Sequence, residues 1–260
     1  MQWLIQDTNV PIMHIDQNGV RLLEAVKERN LSWHAIGQIP FSYEPTGMEE
    51  IDLTQPWFLY GSTQMTEMAA SWPCQNPGVF WGDGWFDPRN WVCKRSDLLN
   101  EHCRTVSVRD IRSRWVDEPM FAKSVTVKAL TGMVLEPTKE DKDIWTIEHS
   151  DLNGDDQLVL SPVVTIDREW RWFVMDGEIV TGSTYRKDGY KSIRHPISVE
   201  ARSAAERAIK EWMPSENIVI DICRTREGEY KVVEFNSINS SGFYNSDIGK
   251  LVDRIESKYR

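Results

Sequence analysis

The sequence is poor in the residues that mark redox, zinc and membrane proteins. Its 4 cysteines are scattered without a Cys-x-x-Cys pair, so neither a zinc site nor a disulfide framework is indicated. The 5 histidines are equally dispersed, and no His-Glu-x-x-His motif occurs. No apolar run approaches the ~20 residues of a membrane span, and the N-terminus has no basic segment before an apolar one. These absences predict a soluble cytoplasmic protein without a membrane partner.

Basic residues are also outnumbered. The chain has 30 Lys and Arg against 40 Asp and Glu, a formal net charge of −10. Nucleic-acid binding depends on basic residues that meet phosphates, so a nucleic-acid partner is not expected. With 260 residues, 40% of them hydrophobic, the chain can bury the core of one large domain or of two small ones.

The first part of the sequence predicts an α/β arrangement. Strands are expected at residues 3–6 and 32–39 with a helix at residues 19–29 between them, which gives a β-α-β opening. A third strand at residues 56–62 ends in a Gly-Ser pair, at an edge where α/β sheets often present a ligand site. Residues 72–91 are rich in Pro, Gly and aromatics, and we expect an ordered loop there.

A domain boundary is expected before the middle of the chain. Ser96 is a candidate N-cap for a helix that begins at Leu98. The character of the sequence then changes around residues 114–118, so we place the boundary between residues 115 and 116.

Antiparallel strands are expected to dominate the second part. The Asp176-Gly177 pair is a two-residue turn of a strong hairpin type, and strands flank it on both sides. Ser198 is expected to cap a helix that continues to about Trp212, and residues 248–259 have the spacing of a closing amphipathic helix.

Residues 221–236 predict a hairpin with hard oxygen ligands on one face. If Glu227 and Gly228 form a two-residue loop, Asp221 lies opposite Glu234, and Asn236 shares the face of Glu234. Oxygen-only ligands suit Mg²⁺, which normally bridges carboxylates to nucleotide phosphates. The hairpin therefore predicts a magnesium site, although a solvated polar face is the plainer interpretation. The core-facing side chains are expected to be Ile220, Ile222, Val233 and Phe235.

A second polar face is expected on the strands around Asp176-Gly177. Glu169 and Arg171 alternate to the same side of one strand. The neighbouring strand would add Ser183, Tyr185 and Lys187 to that face.

Two lysines upstream complete a candidate phosphate site. Lys123 and Lys128 would supply cations of the kind that meets phosphates, although a lone lysine is usually a surface charge. Phosphoryl transfer needs both a metal and cations, so these lysines together with the two acidic faces favour a nucleotide site.

At these residues the chain resembles the ATP-grasp superfamily, in particular the phage and bacterial branch related to the ribosomal-protein glutamate ligases. Residues 234–244 resemble the terminal motif of that branch, and residues 160–163 resemble its interdomain strand around adenine. Glu169-Trp-Arg171 is similar to its acidic-x-Arg element, and the resemblance covers roughly residues 116–250. Many members carry an acidic residue where this chain has Ser161-Pro162.

The resemblance implies an α+β fold of the ATP-grasp type. It implies an N-terminal α/β pre-ATP-grasp domain over residues 1–115 and an antiparallel-sheet ATP-grasp domain over residues 116–260. It also implies ATP and Mg²⁺ as cofactors, and it is consistent with a phage-encoded protein that acts in the host cytoplasm.

The resemblance further assigns roles to residues of this sequence. Asp221, Glu234 and Asn236 would hold magnesium, and Arg171 and Asn239 would face the reactive phosphate or acyl phosphate. The implied nucleotide-contacting residues are Lys123, Lys128, Ser161, Val163, Glu169 and Ser183.

The implied reaction joins a carboxylate to an amine. The carboxylate attacks the γ-phosphate of ATP, and the amine then captures the acyl phosphate as an amide, with ADP and phosphate as products. The substrate would be a small amino acid or the carboxylate of a protein or peptide.

Two other classes of function are consistent with parts of the sequence. A nucleotidyltransferase or RNA ligase is suggested by residues 186–191, but Arg186 stands where the nucleophilic lysine is needed, and its guanidinium stays protonated. A nonenzymatic ATP-binding assembly factor would keep the same metal residues. Product analysis separates the three, since a ligase gives ADP, a nucleotidyltransferase gives AMP, and a binder leaves ATP unchanged.

Overall fold

The computed structural model describes residues 1–6, 17–39, 44–73, 87, 89–126, 129–193 and 195–259. In these ranges it contains thirteen strands and six α-helices. The strands are β1 Gln2–Gln6, β2 Ser32–Gln38, β3 Pro45–Thr46, β4 Trp57–Tyr60, β5 Arg104–Ser107, β6 Met120–Ser124, β7 Met133–Leu135, β8 Gln157–Pro162, β9 Ile166–Met175, β10 Glu178–Lys187, β11 Tyr190–Lys191, β12 Ile218–Thr225 and β13 Tyr230–Asn236. The helices are α1 Gln17–Glu28, α2 Thr63–Ala69, α3 Arg89–Val92, α4 Glu140–Glu148, α5 Val199–Glu211 and α6 Ile248–Tyr259.

The N-terminal sheet confirms the predicted β-α-β opening. Its strand order is β3-β2-β1-β4, and β1 runs parallel to both β2 and β4. One face packs against α2 through Leu4, Leu59 and Met65. The predicted loop at residues 72–91 falls largely outside the described residues, which include residues 72, 73, 87 and 89–91 of it.

A second, antiparallel sheet has the order β5-β8-β6-β7 and packs against α4. Strand β5 pairs with β8, so this sheet takes in residues on both sides of the predicted boundary at 115/116. The division of the chain at that point stays a prediction.

The third sheet has five antiparallel strands in the order β11-β10-β9-β12-β13. One face is covered by α5, whose alanine stripe packs on Trp172 and Ile220. Ser198 caps α5 as predicted, since its hydroxyl accepts from the backbone N–H of Ala201 at 3.1 Å.

The other face of the five-stranded sheet shares one core with the N-terminal sheet. This core contains Trp3 of β1, Val26 of α1, Phe173 of β9 and Ile255 of α6. The Trp3 indole N–H donates to Glu256 Oε1 at 2.7 Å, so a polar group buried here has its partner. Strands β9 and β12 therefore bury apolar side chains on both faces of the sheet.

The β12–β13 hairpin confirms the predicted pairing of Asp221 with Glu234, but the predicted turn is wrong. The backbone N–H of Thr225 donates to the carbonyl of Glu229 at 2.9 Å, so the loop has three residues, 226–228. Gly228 takes a φ of +90°, which other residues rarely adopt.

A β-bulge restores the register before it reaches the polar face. Ile222 pairs with Val232 while Asp221 pairs with Glu234, so Val233 is the additional residue. Val232 is therefore completely buried in the core, and the prediction that Val233 faces the core is wrong.

Residues 97–99 are extended, and the helix predicted to begin at Leu98 is wrong. Val232 N–H donates to the Asp97 carbonyl at 2.8 Å, and Leu99 N–H donates to the Val232 carbonyl at 2.8 Å. These bonds satisfy the outer edge of β13, which would otherwise carry unpaired backbone groups.

None of the described helices combines the length and the apolar composition needed to cross a membrane.

Candidate active site

The polar face is a continuation of the central core along β9 and β12. Phe173 pairs with Val219 in the apolar part, and two residues further along each strand Arg171 pairs with Asp221. Because side chains alternate, these four residues lie on the same face. The change from apolar to charged side chains marks where the core ends and the site begins.

Arg171 and Asp221 form a buried bidentate ion pair. Arg171 Nε donates to Asp221 Oδ1 at 2.8 Å, and Nη2 donates to Oδ2 at 2.6 Å. Arg171 is 8% exposed and Asp221 is 0% exposed. Burial alone would lower the pKa of Arg171, but the charge and hydrogen bonds of Asp221 raise it above its ordinary value. The guanidinium therefore stays protonated and fixed in direction.

Two tyrosines enclose this pair. The rings of Tyr185 and Tyr244 stack with centroids 4.9 Å apart, and the guanidinium carbon of Arg171 lies 5.4 and 5.3 Å from them. Tyr185 Oη donates to Glu169 Oε2 at 2.6 Å and lies 3.4 Å from Asp221 Oδ2. The tyrosine hydroxyl thus links two carboxylates that would otherwise repel one another.

Glu234 pairs with a lysine from the neighbouring sheet. Lys123 Nζ donates to Glu234 Oε2 at 2.7 Å, and Asn236 Nδ2 donates to Glu234 Oε1 at 3.0 Å. Burial acts to raise the pKa of Glu234, but the Lys123 charge and these hydrogen bonds outweigh it and lower the pKa to about 2. Glu234 is ionised at neutral pH.

Glu169 is a third carboxylate on the same face. It is buried, and burial raises its pKa even though Tyr185 donates a hydrogen bond to it. Arg186 Nη1 lies 3.7 Å from Glu169 Oε1. Three carboxylates from adjacent strands therefore meet three cations, which keeps the cluster close to neutral.

A bulge in β10 decides which cation faces Glu169. Thr184 pairs with Trp170 and Arg186 pairs with Glu169, so Tyr185 is the additional residue. The alternation predicted to bring Lys187 to this face is broken, and Arg186 takes its place.

These side chains border a cavity of about 440 Å³ between β6 to β8 and the five-stranded sheet. Its polar lining includes Lys123, Glu169, Arg186 and Glu234. Its apolar lining includes Phe121, Val134, Pro162, Val163, Val164 and Val233. An apolar chamber with charged groups at one side suits a ligand with a flat apolar part and an anionic part.

The predicted adenine residues lie at one wall of this cavity. Val163 lines it and is 45% exposed. Ser161 is buried, and its hydroxyl donates to Asn100 Oδ1 at 2.9 Å, while Asn100 itself lines the cavity. Sequence reasoning missed Asn100, because its segment was expected to be helical and carries no motif.

Ser183 shares the site face of β10 but lies deeper. It is buried, and Ser246 Oγ donates to its hydroxyl at 3.4 Å. Lys128 falls outside the described residues. The nucleotide contacts of Ser183 and Lys128 stay predictions.

Asn239 lies away from the cavity, at the contact with the N-terminal sheet. It is completely buried, and its side-chain amide donates to the Leu59 carbonyl at 2.6 Å. Gly61 N–H donates in turn to the Asn239 carbonyl at 2.9 Å. This arrangement ties the segment after β13 to the end of β4, and the predicted contact of Asn239 with a phosphate stays a prediction.

The donor set for magnesium divides into two parts. Glu234 and Asn236 present carboxylate and amide oxygens beside the cavity, and a Mg²⁺ ion that keeps waters and phosphate ligands needs one or two carboxylates. Asp221 is fully buried with both oxygens engaged by Arg171. Glu234 and Asn236 therefore fit the ion, and Asp221 does not fit it in this arrangement. Within the described ranges, no group of three or more His, Cys, Asp or Glu is placed to hold a metal by itself.

Residues 102–253 match a family model described as an ATP-grasp domain, family 2 of its clade. The match covers more than half of the chain, and the chain belongs to this family. The predicted ATP-grasp fold and superfamily are confirmed, while the affiliation with phages stays a prediction. No curated protein matches the sequence.

Solved structures with the same fold span the whole chain. D-cycloserine synthetase DcsG superposes with a TM-score of 0.63 at 13% identity, covering 100% of this chain and 99% of that one. The ATP-grasp ligase PsnB, complexed with a phosphomimetic variant of its minimal precursor, Mg and ADP, gives 0.61 at 14% identity and covers 100% and 98%. The RimK domain ATP-grasp protein of Sphaerobacter thermophilus gives 0.60 at 13% identity and covers 97% and 98%. The family and this shared fold support the predicted class of enzyme, an ATP-dependent ligase.

Proposed function

We propose that this protein is a carboxylate–amine ligase that uses ATP and proceeds through an acyl phosphate. The observation that carries the proposal is the position of Lys123 and Glu234 at the charged side of an apolar cavity in an ATP-grasp fold. Nucleotide ligases need such a combination, because the base is apolar and flat while the phosphates are anionic.

Each part of the cavity has a role in the proposal. The adenine base packs on the apolar wall near Val163 and meets the backbone at the end of β8. Lys123 attracts the phosphates as a point charge. Glu234 and Asn236 hold Mg²⁺, which when bound neutralises phosphate charge and polarises the P–O bonds.

Arg171 is placed beside these groups to stabilise charge on the transferred phosphoryl group. A guanidinium that is already fixed in direction loses no further freedom when the transition state forms. A substrate carboxylate oxygen forms a bond to the γ-phosphorus, and ADP leaves. The amine then bonds to the acyl carbon, the C–O bond to phosphate breaks, and inorganic phosphate leaves with the amine proton passing to solvent.

The substrates are small amino acids or the carboxylate of a peptide or protein. The solved PsnB structures contain a precursor peptide, and the name of DcsG identifies a synthetase for D-cycloserine, a small molecule. Both kinds of substrate thus occur among proteins of this fold, and the choice between them for this chain is made by the experiment below.

The proposal is tested by product analysis. ATP labelled in its α-phosphate is incubated with Mg²⁺, a set of amino acids and short peptides, and hydroxylamine as a surrogate amine. ADP that forms in proportion to a hydroxamate supports the ligase. AMP as product would indicate a nucleotidyltransferase. Bound but unchanged ATP with every substrate would favour the ATP-binding assembly factor.

A further inference from the structure

The hairpin carboxylates Asp221 and Glu234 lie opposite each other, yet their surroundings differ. Glu234 lines the cavity, and its side chain is 28% exposed. Asp221 is 0% exposed and lies outside the described lining of the cavity. An ion that enters with its hydration shell can reach the first carboxylate and is blocked from the second.

The lone pairs of Asp221 are already used. A carboxylate has about four acceptor positions. Arg171 fills one on each oxygen, at 2.8 and 2.6 Å, and Tyr185 Oη lies 3.4 Å from Oδ2. A metal bond to Asp221 would displace at least one charge-assisted bond and would leave the guanidinium of Arg171 buried without its counter-charge.

We propose that Asp221 is a positioning residue for Arg171 and that the metal is held from this hairpin by Glu234 and Asn236. The inference rests on the proposed nucleotide site and concerns how that site is divided. Asp221 holds the guanidinium from below, Tyr185 and Tyr244 bound it on one side, and the Gly242 carbonyl lies 3.5 Å from Nη1. The remaining N–H groups of Arg171 are thereby directed toward the transferred group.

The first test measures Mn²⁺ binding in the presence of ADP by the loss of the free-ion paramagnetic resonance signal. Glu234→Gln should raise the dissociation constant of Mn²⁺ at least about tenfold, since it removes a direct ligand. The double variant Arg171→Gln/Asp221→Asn removes both charges together and leaves no isolated buried ion. It should keep the dissociation constant within about threefold of the unaltered protein.

The outcomes are distinct. If the double variant loses Mn²⁺ as strongly as Glu234→Gln, Asp221 is a ligand and the inference is overturned, while the nucleotide site remains. If the unaltered protein binds no Mn²⁺ with ADP, the proposed function itself is contradicted and the inference falls with it.

Two further measurements do not depend on the stability of one variant. In crystals of the unaltered protein with Mn²⁺ and ADP, the anomalous peak should lie next to Glu234 and farther from Asp221 than the roughly 2.0–2.6 Å of a direct bond. A peak within that distance of Asp221 overturns the inference. In kinetics, Asp221→Asn should lower kcat no further once Arg171 is Gln, because Asp221 acts through Arg171. Additive losses would contradict it.

Discussion

Lys123 and Glu234, 111 residues apart, form an ion pair of 2.7 Å that joins β6 of one antiparallel sheet to β13 of the next. The pair stands at the charged side of the cavity that separates the two sheets. Both side chains are part-buried, with 30% and 28% of their surfaces exposed, so the pair is less screened than a surface pair. A bound metal and phosphates would share these two groups between them.

We predict that Glu234→Gln lowers Mg²⁺-dependent ATP turnover at least about tenfold while the fold is retained. The change keeps the shape of the side chain and removes the charge that the metal and Lys123 need. ADP release and thermal unfolding are the measurements. Glu229→Gln is the matched control on the same hairpin, where the side chain is 66% exposed, and it should keep full turnover. Full turnover in Glu234→Gln would return the hairpin to a solvated face.

Lys123→Met is expected to weaken ATP binding with a smaller effect on kcat, because a ground-state phosphate contact is lost. A charge-assisted contact is worth ~1.5–3 kcal/mol, or roughly 10- to 150-fold in affinity. Calorimetry of ATP binding gives the result, with Lys139→Met as a control on a lysine that is 49% exposed and pairs with Glu136. Unchanged affinity would place the phosphates elsewhere.

Arg171→Lys is expected to act mainly on kcat. Lysine keeps the charge beside Asp221 but cannot form the two parallel bonds that fix the guanidinium. A kcat reduced roughly 10- to 150-fold, with ATP affinity within a few-fold, is the expected pattern. If affinity falls and kcat holds, Arg171 contacts the ground state and not the transferred group.

The hairpin bulge gives a prediction on stability. Val232→Ala removes two methyl groups from a completely buried position and should lower the free energy of unfolding by roughly 2 kcal/mol. Val233→Ala, at the cavity wall, should change it by about 0.5 kcal/mol or less. Denaturant unfolding of the two variants compares the positions directly. Equal losses, or a larger loss at Val233, would support the register without the bulge.

Asn239→Ala should act on stability before it acts on chemistry. The variant leaves the buried Leu59 carbonyl without the donor at 2.6 Å, a loss of about 1–3 kcal/mol. Unfolding free energy and kcat are measured on the same preparation below the melting transition. A large loss of kcat with unchanged stability would restore Asn239 to the phosphate role that the family resemblance implies.

Local patterns were enough to predict much of the fold. The Asp176-Gly177 turn, the Ser198 cap and the bounds of α6 follow from turn chemistry, capping and apolar spacing, which are properties of short segments. The opposition of Asp221 and Glu234 was also predicted, because the three-residue loop and the bulge shift the register by one residue each and cancel.

The remaining features depend on packing between distant segments. Whether Val232 or Val233 turns inward is decided by the core beneath α5, and the alternation of a strand does not contain that information. The extended path of residues 97–99 is set by the open edge of β13, more than a hundred residues later. The ion pair of Arg171 with Asp221 likewise forms only when two strands distant in sequence are brought together.

The central claim of an acyl phosphate is tested most directly by following oxygen. The carboxylate substrate that supports hydroxamate formation is labelled with heavy oxygen and supplied with ATP, Mg²⁺ and the amine, and the released inorganic phosphate is analysed by mass spectrometry. Our account predicts one labelled oxygen in each phosphate, because the carboxylate oxygen bonded to phosphorus leaves with it when the amine attacks. Phosphate without label, at a rate equal to amide formation, would contradict it.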